Sequence, residues 1–151
     1  MEAYDEEFVD IAMDTLGEAL DYAVRACGLG PDEFFSRLIS SGIAHQIECG
    51  NTKYVCGMSG TELAREVLFR TDAKTDFPPV MVDFPYTDIY WAGWILAYSQ
   101  WQTCRTFQEI RRYVSVKDVI DMYYPLHEAP ESKFVDVLEA IIARKESGDS
   151  Q

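Results

Sequence analysis

The spacing of apolar positions along the chain predicts a protein built from α-helices. Between residues 5 and 27, apolar side chains recur every three or four positions and therefore share one helical face. Gly28 and Gly30 end this helix, and Pro31 suits the first turn of the next one. Short helices follow at 31–41 and 43–48, and residues 53–58 form a loop or a short extended piece.

Residue patterns that start and stop helices divide the second half of the chain. Ser59 with Glu62, and Thr106 with Glu109, have the spacing of capping boxes. Ser115 is expected to cap a further short helix. The remaining two signals are prolines: Pro125 ends that helix, and Pro130 opens a last helix that reaches about residue 145.

Residues 88–104 are expected to form the central helix, because apolar side chains surround most of its circumference. Five aromatic residues crowd it: Tyr90, Trp91, Trp94, Tyr98 and Trp101. We therefore predict an all-α fold, a single compact domain of about seven or eight helices around this Trp-rich helix. The domain spans 1–146, with a connector at 71–87 that contains Pro78, Pro79 and Pro85, and a frayed tail at 147–151.

The charge of the chain is unusual. Of the 151 residues, 26 are acidic and 13 are basic, which gives a net charge of −13. Such a chain would add charge to a nucleic acid instead of releasing its counterions, so direct nucleic-acid binding is not expected. There is no apolar run of the ~18 residues that span a membrane, and the acidic N-terminus is unlike a signal peptide. We expect a cytoplasmic protein that does not bind membranes, with its four cysteines as thiols.

Five carboxylates fall on one stripe of the first helix. Their spacings are 3, 4, 4 and 3 residues: Glu7, Asp10, Asp14, Glu18 and Asp21. Neighbours on such a stripe lie roughly 5–6 Å apart, close to the spacing of phosphates along a nucleic-acid strand. The stripe is therefore a solvated helix face, a docking surface for a basic protein partner, or a mimic of nucleic acid.

The aromatic residues permit two interpretations. The rings of the central helix, together with Tyr123 and Tyr124, belong to an aromatic-rich core or form a patch that binds a protein. An acidic rim around such a patch would suit a basic partner.

Candidate catalytic and metal-binding groups are weak. His45 and Cys49 have a usable ligand spacing, but no further ligand is near in sequence. His127 beside Glu128 could act as a base, although a helix cap or a core hydrogen bond explains it better. Ser59 lacks the second glycine of an esterase elbow. We predict a non-catalytic protein without metal or cofactor.

Three segments carry a resemblance to a known family. They are YWAGWILAYSQWQTCRTFQEI, DVIDMYYPLHEAPESKFVDVLEAII and SGIAHQIECGNTKYVCGMSGTELA, which together with their surroundings span about residues 15–145. The chain resembles a family of small uncharacterised acidic helical proteins of anaerobic gut bacteria, found near ADP-ribosyltransferase-like, toxin-type genes. That genomic neighbourhood implies an antitoxin-like or accessory role, and the resemblance supplies no catalytic residues.

The sequence thus predicts an acidic protein-interaction module, antitoxin-like, that binds and restrains a partner protein encoded nearby through its acidic stripe. The alternative is an inhibitor that mimics nucleic acid, of the anti-CRISPR or anti-restriction type. The two differ in whether nucleic acid competes with the bound partner.

Overall fold

Ten α-helices make up most of residues 1–72, 76–80 and 87–148, which are the residues described by this computed structural model. A 3₁₀ turn at Glu6–Phe8 precedes the first helix and a π-helical turn at Tyr22–Ala26 follows it. The helices are α1 (Val9–Asp21), α2 (Pro31–Ser40), α3 (Ile43–Glu48), α4 (Thr52–Val55), α5 (Gly60–Asp72), α6 (Asp88–Thr103), α7 (Phe107–Arg111), α8 (Val116–Asp121), α9 (Tyr123–Leu126) and α10 (Glu131–Gly148). These ranges contain no strand, which confirms the all-α prediction.

The predicted count of seven or eight helices is wrong, because the structure contains two additional four-residue helices. The first is α4, within the segment expected to be a loop or an extended piece. The Asn51 side chain starts it by accepting a hydrogen bond from the Lys53 amide at 3.1 Å. The second is α9, which follows α8 after Met122. It contains Pro125, so helical structure continues past the proline that was expected to end the helix.

Helix α6 is central, as predicted, and α1 shares that role. Nine of the 16 residues of α6 are buried, and Trp91 and Trp101 are among them. Helix α1 buries eight of its 13 residues by packing along α6 on one side and α5 on another. The core is continuous from α1 and α6 to the short helices and to α10. Four acids of the predicted stripe, from Asp10 to Asp21, therefore lie on a helix whose remaining surface is almost entirely packed, whereas Glu7 lies in the 3₁₀ turn before that helix.

The predicted capping boxes are present and start their helices. Ser59 accepts from the Glu62 amide while Glu62 accepts from the Ser59 amide. Thr106 and Glu109 make the same reciprocal pair at the start of α7. A third box joins Ser115 and Asp118 at α8. These pairs are local in sequence, so their spacing alone was sufficient to predict them.

The connector and the tail lie partly outside the described residues. Of the predicted connector 71–87, positions 73–75 and 81–86, which include Pro85, lie outside them. In its described part, the Pro78 carbonyl accepts a hydrogen bond of 2.6 Å from the Tyr22 hydroxyl. The last helix continues to Gly148 and so includes the first two residues of the predicted tail 147–151, while 149–151 lie outside the described residues. Within the described ranges, we find no helix with both the length and the apolar character that a membrane span requires.

Candidate functional site

The predicted acidic stripe divides into two parts with different surroundings. Glu7 and Asp10 are exposed, and no side chain in the described residues hydrogen-bonds to their carboxylates. Asp14, Glu18 and Asp21 each accept hydrogen bonds from other parts of the fold. Only the N-terminal end of the stripe therefore presents carboxylates that an external partner could contact without competition.

Glu18 has a structural task at the start of α5. One of its carboxylate oxygens accepts from the backbone amides of Gly60 at 2.5 Å and Thr61 at 3.3 Å. These are amides of the first helical turn, which have no partner inside the helix. The negative charge also lies where the helix dipole favours it. Glu18 thus joins α1 to α5.

Asp14 and Asp21 contact the beginning of α6. The Asp14 carboxylate accepts from the Tyr90 hydroxyl at 3.1 Å. Asp21 accepts from the Thr87 hydroxyl at 2.9 Å and pairs with Arg25 through two bonds of 2.9 and 3.2 Å. Both acids therefore hold residues of α6 against α1, and the Asp21 charge is matched by a cation.

Two further acids cap helices in the same way as Glu18. Asp32 of α2 accepts from the amides of Val116 at 2.8 Å and Lys117 at 3.2 Å, at the start of α8. Glu48 accepts from the Phe107 amide at 2.8 Å, at the start of α7. Burial raises the pKa of Glu48, an effect that this hydrogen bond opposes. Some of the acidic residues thus stabilise the fold by capping helices.

An acidic cleft lies beside the exposed end of the stripe. It is a recess of about 380 Å³ between α1, α6 and α10. Four carboxylates line it, with two aromatic rings among its other walls: Glu2, Glu6, Asp10, Glu131, Tyr98 and Trp101. Burial raises the pKa of the Tyr98 hydroxyl, and the charges of Glu131, Glu2 and Glu6 raise it further. The carboxylates therefore concentrate negative potential in one recess.

An aromatic pocket of about 250 Å³ lies at the other end of α6. The described residues that line it come from the start of α6 and from α9 with its following turn: Thr87, Tyr90, Trp91, Trp94, Tyr123 and His127. The rings of Trp91 and Tyr123 meet at 77° with their centroids 5.9 Å apart. The other side of Trp91 packs edge-on against Phe134 in the core. The pocket thus has aromatic walls that the core holds in place.

His127 is fixed within this pocket by its neighbours. Its ring stacks on the Tyr123 ring at 3.9 Å and 9°, and Tyr124 meets both rings edge-on. Its Nδ1 lies 2.6 Å from the Tyr123 carbonyl oxygen, which can only accept a hydrogen bond, so Nδ1 donates. This bond is local, to the carbonyl four residues earlier, and His127 is only partly buried, so a hydrogen bond within the core stays a prediction.

The other candidate groups are not brought together into a site. The Cys49 sulfur lies 3.5 Å from Nε2 of His45, on the exposed side of α3. No group of three or more potential metal ligands occurs in residues 1–72, 76–80 and 87–148. Ser59 is occupied as a helix cap.

Sequence reasoning missed the composition of both recesses. Glu2 and Glu6 continue the four-residue spacing to Asp10, so they could have been found from the sequence. Glu131 joins them only through tertiary packing. In the aromatic pocket, the sequence pattern predicts for His127 only a base, a helix cap or a core hydrogen bond.

Comparison of the chain with family models, with curated proteins and with solved structures gives no match.

Proposed function

We propose that this protein is a non-catalytic, cytoplasmic interaction module that binds a basic protein partner at the acidic cleft. The observation that carries the proposal is the grouping of Glu2, Glu6, Asp10 and Glu131 around one recess. None of these four carboxylates pairs with a lysine or arginine in the described residues. A basic segment would supply the missing cations.

The shape of the cleft favours side chains over a bare ion. Its carboxylates are too dispersed to form a metal cluster within the described residues. Tyr98 and Trp101 provide apolar surface for the stem of an arginine or lysine, whose charged head would reach the carboxylates. With a net charge of −13, the chain would also attract a basic partner over a distance and increase the association rate.

The resemblance to acidic proteins encoded near toxin-type genes extends this proposal to an antitoxin-like or accessory role, in which binding restrains the partner. Mimicry of nucleic acid is less well supported, because Asp14, Glu18 and Asp21 hold the fold together and leave the stripe without an unbroken row of available charges.

The test compares two variants with equal changes in charge. The cleft variant combines Glu6→Lys with Asp10→Lys. The control combines Asp72→Lys with Asp136→Lys, two exposed acids outside the cleft. Tagged proteins are used to recover partners from nuclease-treated lysate of the source cells, and the recovered complex is titrated with salt.

We expect wild type and control to recover a basic protein in stoichiometric amount. The cleft variant should recover at least about tenfold less of it, and salt should weaken the complex. Equal recovery with all three proteins would refute the assignment of the cleft. Recovery of a nucleic-acid enzyme that DNA or RNA displaces would replace it with mimicry.

A further inference from the structure

The aromatic pocket has walls rich in π-electrons and few available hydrogen-bond donors. The Thr87 hydroxyl donates to Asp21, the Tyr90 hydroxyl donates to Asp14, and His127 donates from Nδ1 to the Tyr123 carbonyl. These polar hydrogens thus already have acceptors in the protein. An anion in the pocket would find few donors, and no lysine or arginine of the described residues lines it.

Carboxylates surround the same pocket without lining it. Asp14 touches the hydroxyl of Tyr90, and Glu128 follows His127 with a carboxylate oxygen 4.0 Å from Nε2. Asp88 begins α6 beside Thr87. None of the three pairs with a lysine or arginine in the described residues. Burial raises the pKa of the Tyr123 hydroxyl, and the charges of Tyr124, Asp88 and Glu128 raise it further.

The geometry points to a binding site for a small quaternary ammonium compound, with its trimethylammonium head inside the aromatic pocket. Aromatic ring faces attract such cations, and the attraction is stronger where water is excluded. The Asp14 carboxylate, which accepts from the Tyr90 hydroxyl, places a negative charge beside the Tyr90 ring. The three surrounding carboxylates add a negative field without a direct contact.

The lining selects a quaternary ammonium over other cations. A primary ammonium has three N–H donors and a guanidinium has five, and each needs an acceptor when it leaves water. The pocket wall consists mainly of ring carbon and offers few acceptors, so most of those donors would remain unpaired. A trimethylammonium group has no N–H, and its methyl groups can pack directly against Trp91, Trp94 and Tyr123.

The size of the pocket favours a small free molecule. At about 250 Å³ it lies just below the usual range for ligand pockets, roughly 300–1,000 Å³. It can take the head and short tail of a compound such as choline. This inference concerns a different recess from the acidic cleft, so it stands or falls independently of partner binding.

The experiment titrates the full-length protein with tetramethylammonium and with choline, followed by calorimetry and tryptophan fluorescence at constant ionic strength. We expect saturable binding with a Kd on the order of 1 mM or below. The neutral isostere 3,3-dimethyl-1-butanol and the primary amine ethanolamine should each bind at least about tenfold more weakly, since one lacks the charge and the other lacks the methyl groups.

Variants assign the binding to the pocket. Trp94→Ala should weaken choline binding at least about tenfold, and Glu128→Gln, a change at an exposed side chain, should weaken it about two- to threefold. Phe69→Ala removes an exposed ring of α5 that lies outside the pocket and should leave the affinity unchanged. The Glu128→Gln variant keeps the test valid if Trp94→Ala does not fold.

Three results would overturn the inference. The first is no saturable binding of either cation. The second is equal affinity for choline and its neutral isostere, which would make the pocket merely apolar. The third is a peptide with trimethyllysine that binds at least about tenfold more tightly than choline, while the unmodified lysine peptide does not. That result would assign the pocket to a modified protein side chain.

Discussion

Gly17 of α1 and Gly93 of α6 face each other where the two central helices cross. A Cβ atom on Gly93 would lie 3.0 Å from the Gly17 Cα and 2.6 Å from the Leu16 carbonyl oxygen. A Cβ on Gly17 would lie 2.9 Å from the Tyr90 carbonyl oxygen and 3.1 Å from the Tyr90 ring. The absence of both side chains lets α1 approach α6, and it lets Tyr90 reach Asp14 beside the aromatic pocket.

Replacement of Gly93 by alanine should therefore destabilise the protein. The new methyl group meets backbone atoms of α1, which cannot move aside unless the two helices separate. We expect a loss of about 3 kcal/mol in the free energy of unfolding, the upper end for overpacking, despite the ~1 kcal/mol gain in helix propensity. Urea unfolding followed by far-UV circular dichroism measures it.

The control is Gly148→Ala at the end of α10, where a Cβ would meet no atom within 4 Å. Its unfolding free energy should change by less than about 0.5 kcal/mol. Equal midpoints for Gly93→Ala and wild type would contradict the close crossing.

Glu18 and Asp10 test the division of the acidic stripe. Glu18→Ala leaves the amides of Gly60 and Thr61 without their acceptor, so we expect a loss of about 1–2 kcal/mol in unfolding free energy. Asp10→Ala removes the same charge from the same helix at an exposed carboxylate, and should cost less than about 0.5 kcal/mol. Similar losses in the two variants would show that Glu18 does not cap α5.

Asp32 should be more important still, because it joins α2 to two later elements. Its carboxylate accepts from the amides of Val116 and Lys117 and lies 3.4 Å from the Arg111 guanidinium. We expect Asp32→Ala to cost about 2–3 kcal/mol in thermal or urea unfolding. The matched control is Asp121→Ala, which breaks only an exposed pair with Lys117 and should cost less than about 0.5 kcal/mol.

These caps show what the sequence could and could not predict. The capping boxes at Ser59 and Thr106 join residues three positions apart, so the spacing reveals them. The contacts from Glu18 to Gly60 and from Asp32 to Val116 span 42 and 84 positions. Nothing in the charge pattern distinguishes these acids from the exposed Asp10. The helical class was therefore predictable, whereas the split of the stripe depends on tertiary packing.

The aromatic residues illustrate the same limit. The sequence predicts that α6 is central and rich in rings, and Trp91 and Trp101 are buried as a core would require. Trp94 remains partly exposed because it faces the recess beside α9. The position of α9 follows from a turn that helical periodicity did not predict. The core interpretation therefore holds for Trp91 and Trp101, whereas the protein-binding patch stays a prediction.

Tyr4 provides a prediction that depends on pH. Its hydroxyl oxygen is buried and has no hydrogen-bond partner among the described residues, while its carbonyl accepts from the Trp101 indole at 2.7 Å. Tyr4→Phe removes the unpaired hydroxyl and keeps the ring, so at neutral pH we expect stability equal to wild type or higher by up to about 1 kcal/mol.

Burial also raises the pKa of Tyr4 above its ordinary value of 10.0. The folded protein therefore retains this proton at a pH where the unfolded chain has lost it. The contribution of Tyr4 to the free energy of unfolding is fully present below about pH 10. It declines at higher pH, by at most about 1.4 kcal/mol per pH unit for one group. Tyr4→Phe lacks this loss, so its advantage over wild type should grow between about pH 9 and 11 in urea unfolding. Tyr124→Phe is the control, because it removes an exposed phenol. If plots of unfolding free energy against pH stay parallel for wild type and Tyr4→Phe across this range, the burial of the Tyr4 hydroxyl is refuted.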